Sequence, residues 1–308
     1  MPTSAARVSV QAGLTLLSGP EQPRIDLIEM SRTRLVRPFL KWTGGKQWLG
    51  AVAPLLVPED FSGRYYEPFL GGGSVFFALG FQRASISDAN AELVDTYRAV
   101  QQCPEQVIAA LRRYPNNREF FEKIRRAEPQ TLHTRAARII YLNKTAFNGM
   151  YRVNLNGEFN VPFGRYVRNT ICDADRIRMA SKALVGVSIK AGDFQTNVAR
   201  AREGDLVYFD PPYITGHRNN GFLKYNAPLF SWDDQQRLAL LAKKLRDRGA
   251  VVIVSNSDHQ GVTTLYDGFY RYVVERNSLI GGRGSVRGTA QEVLLMSSRL
   301  LGVETEQV

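Results

Sequence analysis

Asp210, Pro211, Pro212 and Tyr213 follow the apolar run LVYF and close the stretch DLVYFDPPY. A carboxylate, two residues without a backbone N–H and a ring, in four consecutive positions, are an unusual way to end a strand. Asp-Pro-Pro is also good turn chemistry, and a simple turn is the plain alternative. Read as a site, Asp210 accepts one hydrogen bond, the carbonyls around Pro211 have no ladder role and accept another, and Tyr213 offers a flat face. An acceptor pair beside an aromatic platform suits the exocyclic amine of a planar heterocycle, adenine or cytosine.

A second constellation lies upstream. Glu67, Pro68, Phe69, Leu70, Gly71, Gly72, Gly73 and Ser74 join the β-type run RYYEPF to the helix-like SVFFALGF. Three glycines let a ligand approach the backbone closely. The dinucleotide fingerprint needs a third glycine where Phe76 stands, so the loop is not of the NAD type. Asp88 ends the next β-type run, SISD, where a carboxylate in a doubly wound sheet reaches ribose hydroxyls. The TGGK stretch at 43–46 fails as a phosphate loop. Leu40 stands where that motif has glycine and Gln47 where it has Ser or Thr, which excludes an NTPase of that kind.

The elements that position these residues alternate. After SISD comes ANAELVDTYRAVQ, with Leu93, Val94, Tyr97 and Val100 at helical spacing. Later come VSIKAGDF, DLVYFDPPY, the amphipathic SWDDQQRLALLAKKLRDRG, then AVVIVSNSD, RYVVERNS and QEVLLMSS. Strands alternating with helices predict an open α/β sheet wound on both faces. Residues 93–170 interrupt the alternation with helical segments dense in arginine, among them Arg112, Arg113, Arg125, Arg126, Arg135 and Arg138. They end in RVNLNGEFNV, which predicts a hairpin turning at Asn156-Gly157. A solvated helix face explains some of these arginines equally well.

The totals agree with a globular chain that meets a polyanion. The 308 residues are 44% hydrophobic and 22% charged, and Lys+Arg 40 against Asp+Glu 29 leaves a formal charge of +11. Cys103 and Cys172 build no disulfide framework, and His133, His217 and His259 are too scattered for a zinc site. No apolar run has the length to span a bilayer, and the N-terminal VSVQAGLTLL lacks a leading basic cluster. A reduced, intracellular, soluble protein is expected.

RPFLKWTGGK, YEPFLGGGS, SDAN, FNG with RVNLNGEFNVPFGRY, AGDF and DPPY occur together in this order. The set resembles the Dam-like group of N6-adenine DNA methyltransferases, the D12 class, from about Arg37 to about Ser298. The resemblance implies an α/β fold: a Rossmann-like doubly wound methyltransferase sheet with an inserted, mainly helical DNA-recognition domain carrying a β-hairpin. Residues 1–34 would be a flexible extension, 35–92 and 171–308 the catalytic domain, and 93–170 the recognition domain. S-adenosyl-L-methionine would be the cofactor, S-adenosyl-L-homocysteine the product, and double-stranded DNA the partner. A monomer in a bacterial cytoplasm, of bacterial or phage origin, follows from the same likeness, with no membrane role.

Carried residue by residue, Trp42 and Lys46 would border the cofactor, and Glu67, Pro68, Phe69, Gly71, Gly73 and Ser74 would hold its methionine end. Asp88 would bind the ribose, Asp193 and Phe194 the cofactor's adenine, and Asp210 the reacting end. Asp210, Pro211, Pro212 and Tyr213 would hold the target base. Lys41, Phe147, Asn148, Met150, Arg152, Asn154, Pro162 and Tyr166 would meet DNA, with Arg152 reading a guanine and Phe147 and Asn148 filling the space a flipped adenine leaves. The expected motif is GATC. Phe147 stands where the family more often has tyrosine, and Met150 where it more often has leucine. A cytosine-N4 enzyme, or an inactive DNA-binding relative, would share much of this pattern. A cytosine-C5 enzyme would not, because neither cysteine lies at a strand end.

Overall fold

The computed structural model describes residues 7–10, 14–17, 36–42, 44–46, 49, 56–154, 157–166, 169–213, 230–277, 289–300 and 306–307. The chain divides into two compact units, one of Met1–Met30, Leu55–Glu67 and Val198–Val308, the other of Ser31–Pro54 and Pro68–Asn197.

In the first unit, β1 (Arg7–Val10) and β2 (Leu14–Leu17) pair antiparallel. These two strands fall in the segment expected to be a flexible extension; the remainder of 1–34 lies outside the described residues. β3 (Tyr65–Glu67) pairs parallel with a later strand, Leu206–Phe209, and that strand pairs parallel with Val251–Ser257. Antiparallel strands Thr289–Met296 and Tyr270–Asn277 follow outward, and β2 pairs with the latter. All four residues of LVYF are buried, as a parallel strand covered on both faces requires. The helix Trp232–Asp247 packs on Val251–Ser257 through a buried stripe that includes Leu238, Ala242 and Leu245. Its start is fixed by a capping box, Ser231 bonding the N–H of Asp234 while the Asp234 side chain bonds back to Ser231.

In the second unit, α1 (Ser74–Leu79), β4 (Ala84–Asp88) and α2 (Ala91–Gln102) run in sequence, and β4 pairs parallel with β5 (Ser188–Ala191). Between α2 and β5 come α3 (Pro104–Leu111), α4 (Arg118–Arg126), α5 (Leu132–Thr145) and α6 (Ala174–Ala183). Asn90, Asn117, Thr131 and Asp173 cap α2, α4, α5 and α6 with side-chain oxygens. Helix α5 is buried nearly all round, from Ala136 to Thr145, and packs on α2, α3 and α4. The remaining elements, in chain order, are α7 (Phe194–Asn197), β6 (Leu206–Phe209), α8 (Trp232–Asp247), β7 (Val251–Ser257), α9 (Gln260–Thr263), β8 (Tyr270–Asn277), β9 (Thr289–Met296) and β10 (Glu306–Gln307).

The α/β class and the strands read from the apolar runs are therefore present. Leu93, Val94, Tyr97 and Val100 are buried on α2, which packs on β5 as well as on α5. One continuous helix thus runs from just after the strand-end Asp88 to the arginine-rich helices.

Candidate active site

In the second unit, the glycine loop is defined by what its backbone touches. Gly71 has φ +49° and Gly73 φ +68°. A Cβ on Gly71 or Gly72 would meet the Trp42 side chain at 3.0 or 2.9 Å, and one on Gly73 would meet the Tyr97 hydroxyl at 2.8 Å. Only glycine admits both the conformation and the approach. The Gly71 N–H donates to the Asp88 carboxylate at 2.9 Å, and the Tyr97 hydroxyl donates to the Gly71 carbonyl at 3.1 Å. The other Asp88 oxygen accepts from the Asn90 N–H at 2.9 Å. Burial pushes the Asp88 carboxyl up, while these backbone donors pull it back down. Gly45 packs against Trp42 and the Ser74 hydroxyl, and the buried Lys46 ammonium donates to the Gly44 carbonyl. So Gly45, in the stretch that is no phosphate loop, lies against Ser74 at the end of the glycine loop instead.

Phe69 and Phe194 stack at 5.3 Å between centroids, and Asp193 accepts from the Gln195 N–H at the start of α7. Trp42 stacks on Tyr151 at 5.4 Å, and Tyr151 donates to Glu92 on α2 at 2.6 Å. Trp42, Lys46, Pro68, Phe69, Gly71, Gly73, Ser74, Asp88, Asp193 and Phe194 all belong to this unit. A close-approach glycine loop, a strand-end carboxylate, an indole and a phenylalanine pair fit a ligand with a charged end, a ribose and a flat base.

The same unit carries the expected DNA-reading residues. Asn143, buried on α5, accepts from the Lys41 N–H and donates to the carbonyls of Lys41 and Gly149. It pins Lys41 to the FNG turn. Within that turn Asn148 adopts φ 55°, a left-handed conformation asparagine tolerates, and its N–H donates to the Tyr166 hydroxyl at 2.8 Å. Phe147 is 49% exposed, with its N–H on the Pro162 carbonyl. Met150 follows the turn half-buried. The hairpin is present as a Val153–Phe159 bridge with Gly157 at φ 80°; Asn156 lies outside the described residues. Arg152 is exposed, and its Nε donates to the Asn160 side chain at 2.7 Å. Asn154 bonds Glu158 across the turn at 2.7 Å.

In the first unit, β6 ends at Phe209 and the DPPY corner begins. Asp210 is half-buried, Pro211 buried and Pro212 exposed. The Pro212 carbonyl accepts from Gln235 of α8 at 3.2 Å, and Gln235 in turn accepts from Asn256 of β7 at 3.1 Å. Tyr213 bonds the Ser255 hydroxyl at 2.7 Å and donates to Glu292 of β9 at 3.2 Å. Glu67, at the end of β3, is buried and accepts from Tyr65 at 2.7 Å. Burial pushes the phenols of Tyr65, Tyr208 and Tyr213 up. Carboxylates push them further, Glu67 acting first at Tyr65 and Asp210 first at Tyr208 and Tyr213. These rings stay protonated and neutral.

Sequence reasoning missed Asn143, Gln235, Ser255, Asn256 and Glu292. Each is a polar residue with other polar residues beside it in the chain, and nothing local marks it as buried. The cysteines are as remote from strand-end chemistry as expected. Cys103 lies between α2 and α3, Cys172 contacts the Ile108 carbonyl, and burial pushes both thiols up, away from a reactive thiolate. Among the described residues, no helix is long and apolar enough to cross a membrane.

Comparison with known proteins gives a consistent answer. The family pattern described as D12 class N6 adenine-specific DNA methyltransferase matches residues 42–280. The type II methyltransferase M1.LlaDCHI of Lactococcus lactis subsp. cremoris is 39% identical over 281 residues, covering 88% of this chain and 98% of that protein. The DNA adenine methylases of Vibrio cholerae and Escherichia coli are 34% and 32% identical, each match covering 84% of this chain and 95% of the relative. On that match and these likenesses, the chain belongs to the D12 class of N6 adenine-specific DNA methyltransferases.

Proposed function

We propose that the protein transfers a methyl group from S-adenosyl-L-methionine to N6 of adenine in a short duplex DNA motif, GATC, after flipping that adenine out of the helix. The observation that carries this reading is the braced DPPY corner. The Pro212 carbonyl is committed to Gln235, while Asp210 and the Pro211 carbonyl stand at the carboxyl end of β6. In this reading those two accept the N6–H bonds and draw the amine toward a pyramidal geometry. The adenine lone pair, otherwise delocalised into the ring, then becomes available for attack. Bound cofactor supplies a methyl carbon on a sulfonium sulfur, and the electron pair of the broken bond stays on sulfur. Asp210 need not be a strong base, since the N6 proton can leave after transfer. Catalysis is alignment and electrostatics.

Trp42, Gly71, Asp88, Asp193 and Phe194 hold the cofactor in this reading, and the DPPY corner holds the target base. Flipping costs a few kcal/mol. Stacking on Tyr213 returns roughly 1–3 kcal/mol, and Phe147, exposed at the FNG turn, fills part of the gap. Arg152 would add about 1–3 kcal/mol of discrimination at one guanine. The net positive charge adds sequence-independent affinity that falls with salt. The family and the adenine methylases among the relatives favour adenine over cytosine-N4. A monomer is the form proposed.

The test is sequencing that detects modified bases, on plasmid DNA from a host lacking adenine methylation that expresses the protein. N6-methyladenine confined to GATC supports reaction and motif together. Methylation at another motif keeps the reaction and overturns GATC. Absence of any modified adenine overturns the reading.

A further inference from the structure

The hydroxyl of Tyr213 is held from two strands. Ser255 lies on β7 and Glu292 on β9, which run antiparallel with Ser255 opposite Leu294 and Ser257 opposite Glu292. Both side chains are buried, Glu292 being only 2% exposed. A carboxylate at that depth is retained only where donors meet it, and the Tyr213 hydroxyl is one such donor at 3.2 Å. A phenol has a single proton. With that proton on Glu292, the 2.7 Å contact is a bond from the Ser255 hydroxyl to the tyrosine oxygen. The protons therefore run from Ser255 to Tyr213 and from Tyr213 to Glu292.

This chain has two effects on the ring. Two anchors on one oxygen fix the ring plane before any base arrives, which is what a stacking platform needs. A hydroxyl donating to a carboxylate also leaves more electron density on its ring, and electron-rich faces attract positive charge. The proposed reaction places such charge beside the ring. When the N6 lone pair forms its bond to the methyl carbon, the nitrogen is cationic until its proton departs to solvent.

We propose that Glu292 is a positioning residue for methyl transfer, acting through the Tyr213 hydroxyl with Ser255 to orient the ring under the target adenine and to favour the charge developing on N6. The proposal rests on the reading of Tyr213 as the stacking partner of the flipped base, and goes beyond it by assigning a part to two buried residues outside the DPPY motif.

The experiment uses the full chain and a duplex carrying the motif found by modified-base sequencing. Single-turnover methylation rates, duplex affinity, melting temperature and the fluorescence of 2-aminopurine at the target position are measured for wild type, Glu292→Gln, Tyr213→Phe and the double variant. Glu292→Gln keeps an acceptor but removes the charge. It is expected to slow the methylation step about tenfold, equivalent to about 1.4 kcal/mol, with duplex affinity and melting temperature unchanged. In the Tyr213→Phe background, where no hydroxyl remains, the same change is expected to slow nothing further. Equal slowing in both backgrounds overturns the proposal, as does a full rate in Glu292→Gln. Should Glu292→Gln fail to fold, Ser255→Ala leaves the carboxylate in place and is expected to slow methylation and alter 2-aminopurine quenching. A full rate with unchanged quenching in Ser255→Ala overturns the proposal too. If wild type itself methylates no duplex, the functional reading has failed, a result distinct from each of these.

Discussion

The DPPY corner and the segment from Phe147 to Tyr166 are both irregular stretches proposed to offer side chains to a ligand, yet they are held in opposite ways. Around Pro212 and Tyr213 the anchors are Gln235, Ser255, Asn256 and Glu292, all buried and all on regular elements of their unit. In the hairpin the bonds from Arg152 to Asn160 and from Asn154 to Glu158 are exposed and local, spanning eight and four residues. Nearer its root the segment is fixed from the interior: buried Asn143 holds Gly149, Tyr151 stacks on Trp42 and bonds Glu92, and Phe163 packs on Phe121. A buried polar group without its partner loses the full desolvation energy, while an exposed one is rescued by water. The corner is thus rigid by construction, whereas the hairpin tip can adjust to a duplex. That division suits chemistry that demands alignment and reading that demands fit.

The contrast can be broken at four points. Asp210→Ala should cause the greatest loss, methylation falling by about a thousandfold or more as the amine loses a charged acceptor. Duplex affinity should stay near wild type in a filter or anisotropy assay. Substantial turnover in this variant would remove Asp210 from the mechanism.

Gln235→Ala leaves the Pro212 carbonyl and the Asn256 amide without their partner. It should destabilise the protein by about 1–3 kcal/mol, seen as a lowered urea midpoint, and reduce the methylation rate with it. A wild-type midpoint would mean that the corner is not braced from α8.

Arg152→Ala should lose about 1–3 kcal/mol of discrimination at one base pair while leaving the urea midpoint where it was. Competition between cognate and singly altered duplexes measures this. A uniform fall in affinity across all duplexes would recast Arg152 as a phosphate contact.

Asn160→Ala is the mildest, since it removes the side-chain acceptor of the Arg152 Nε–H without touching the interior. Discrimination at the same base pair should drop by about 0.5–1.5 kcal/mol, with stability within about 0.5 kcal/mol of wild type. A loss of stability as large as that of Gln235→Ala would erase the distinction between the two regions.

How legible the site was depends on how its residues announce themselves. DPPY, the three glycines and Asp88 were legible because each breaks a local rule. Prolines end a strand, glycines adopt positive φ, and a carboxylate caps an apolar run. Arg152 was legible because the hairpin around it carries its own turn signal. Asn143, Gln235, Ser255, Asn256 and Glu292 were not. Inside RIIYLNKT, SWDDQQRL, VVIVSNSD or QEVLL a polar residue reads as a solvent-facing position, and nothing local says that it is buried.

The order and kind of the elements were determined by the sequence itself, because apolar runs and helical spacing act over a few residues. The residues proposed to touch a ligand were likewise marked by local backbone demands. What holds those residues was decided only by the tertiary structure. Tyr213 meets partners 42 and 79 residues away, and Lys41 meets one 102 residues away. Such pairs depend on strand register and helix packing, and a one-residue slip in β9 would turn Glu292 to the opposite face.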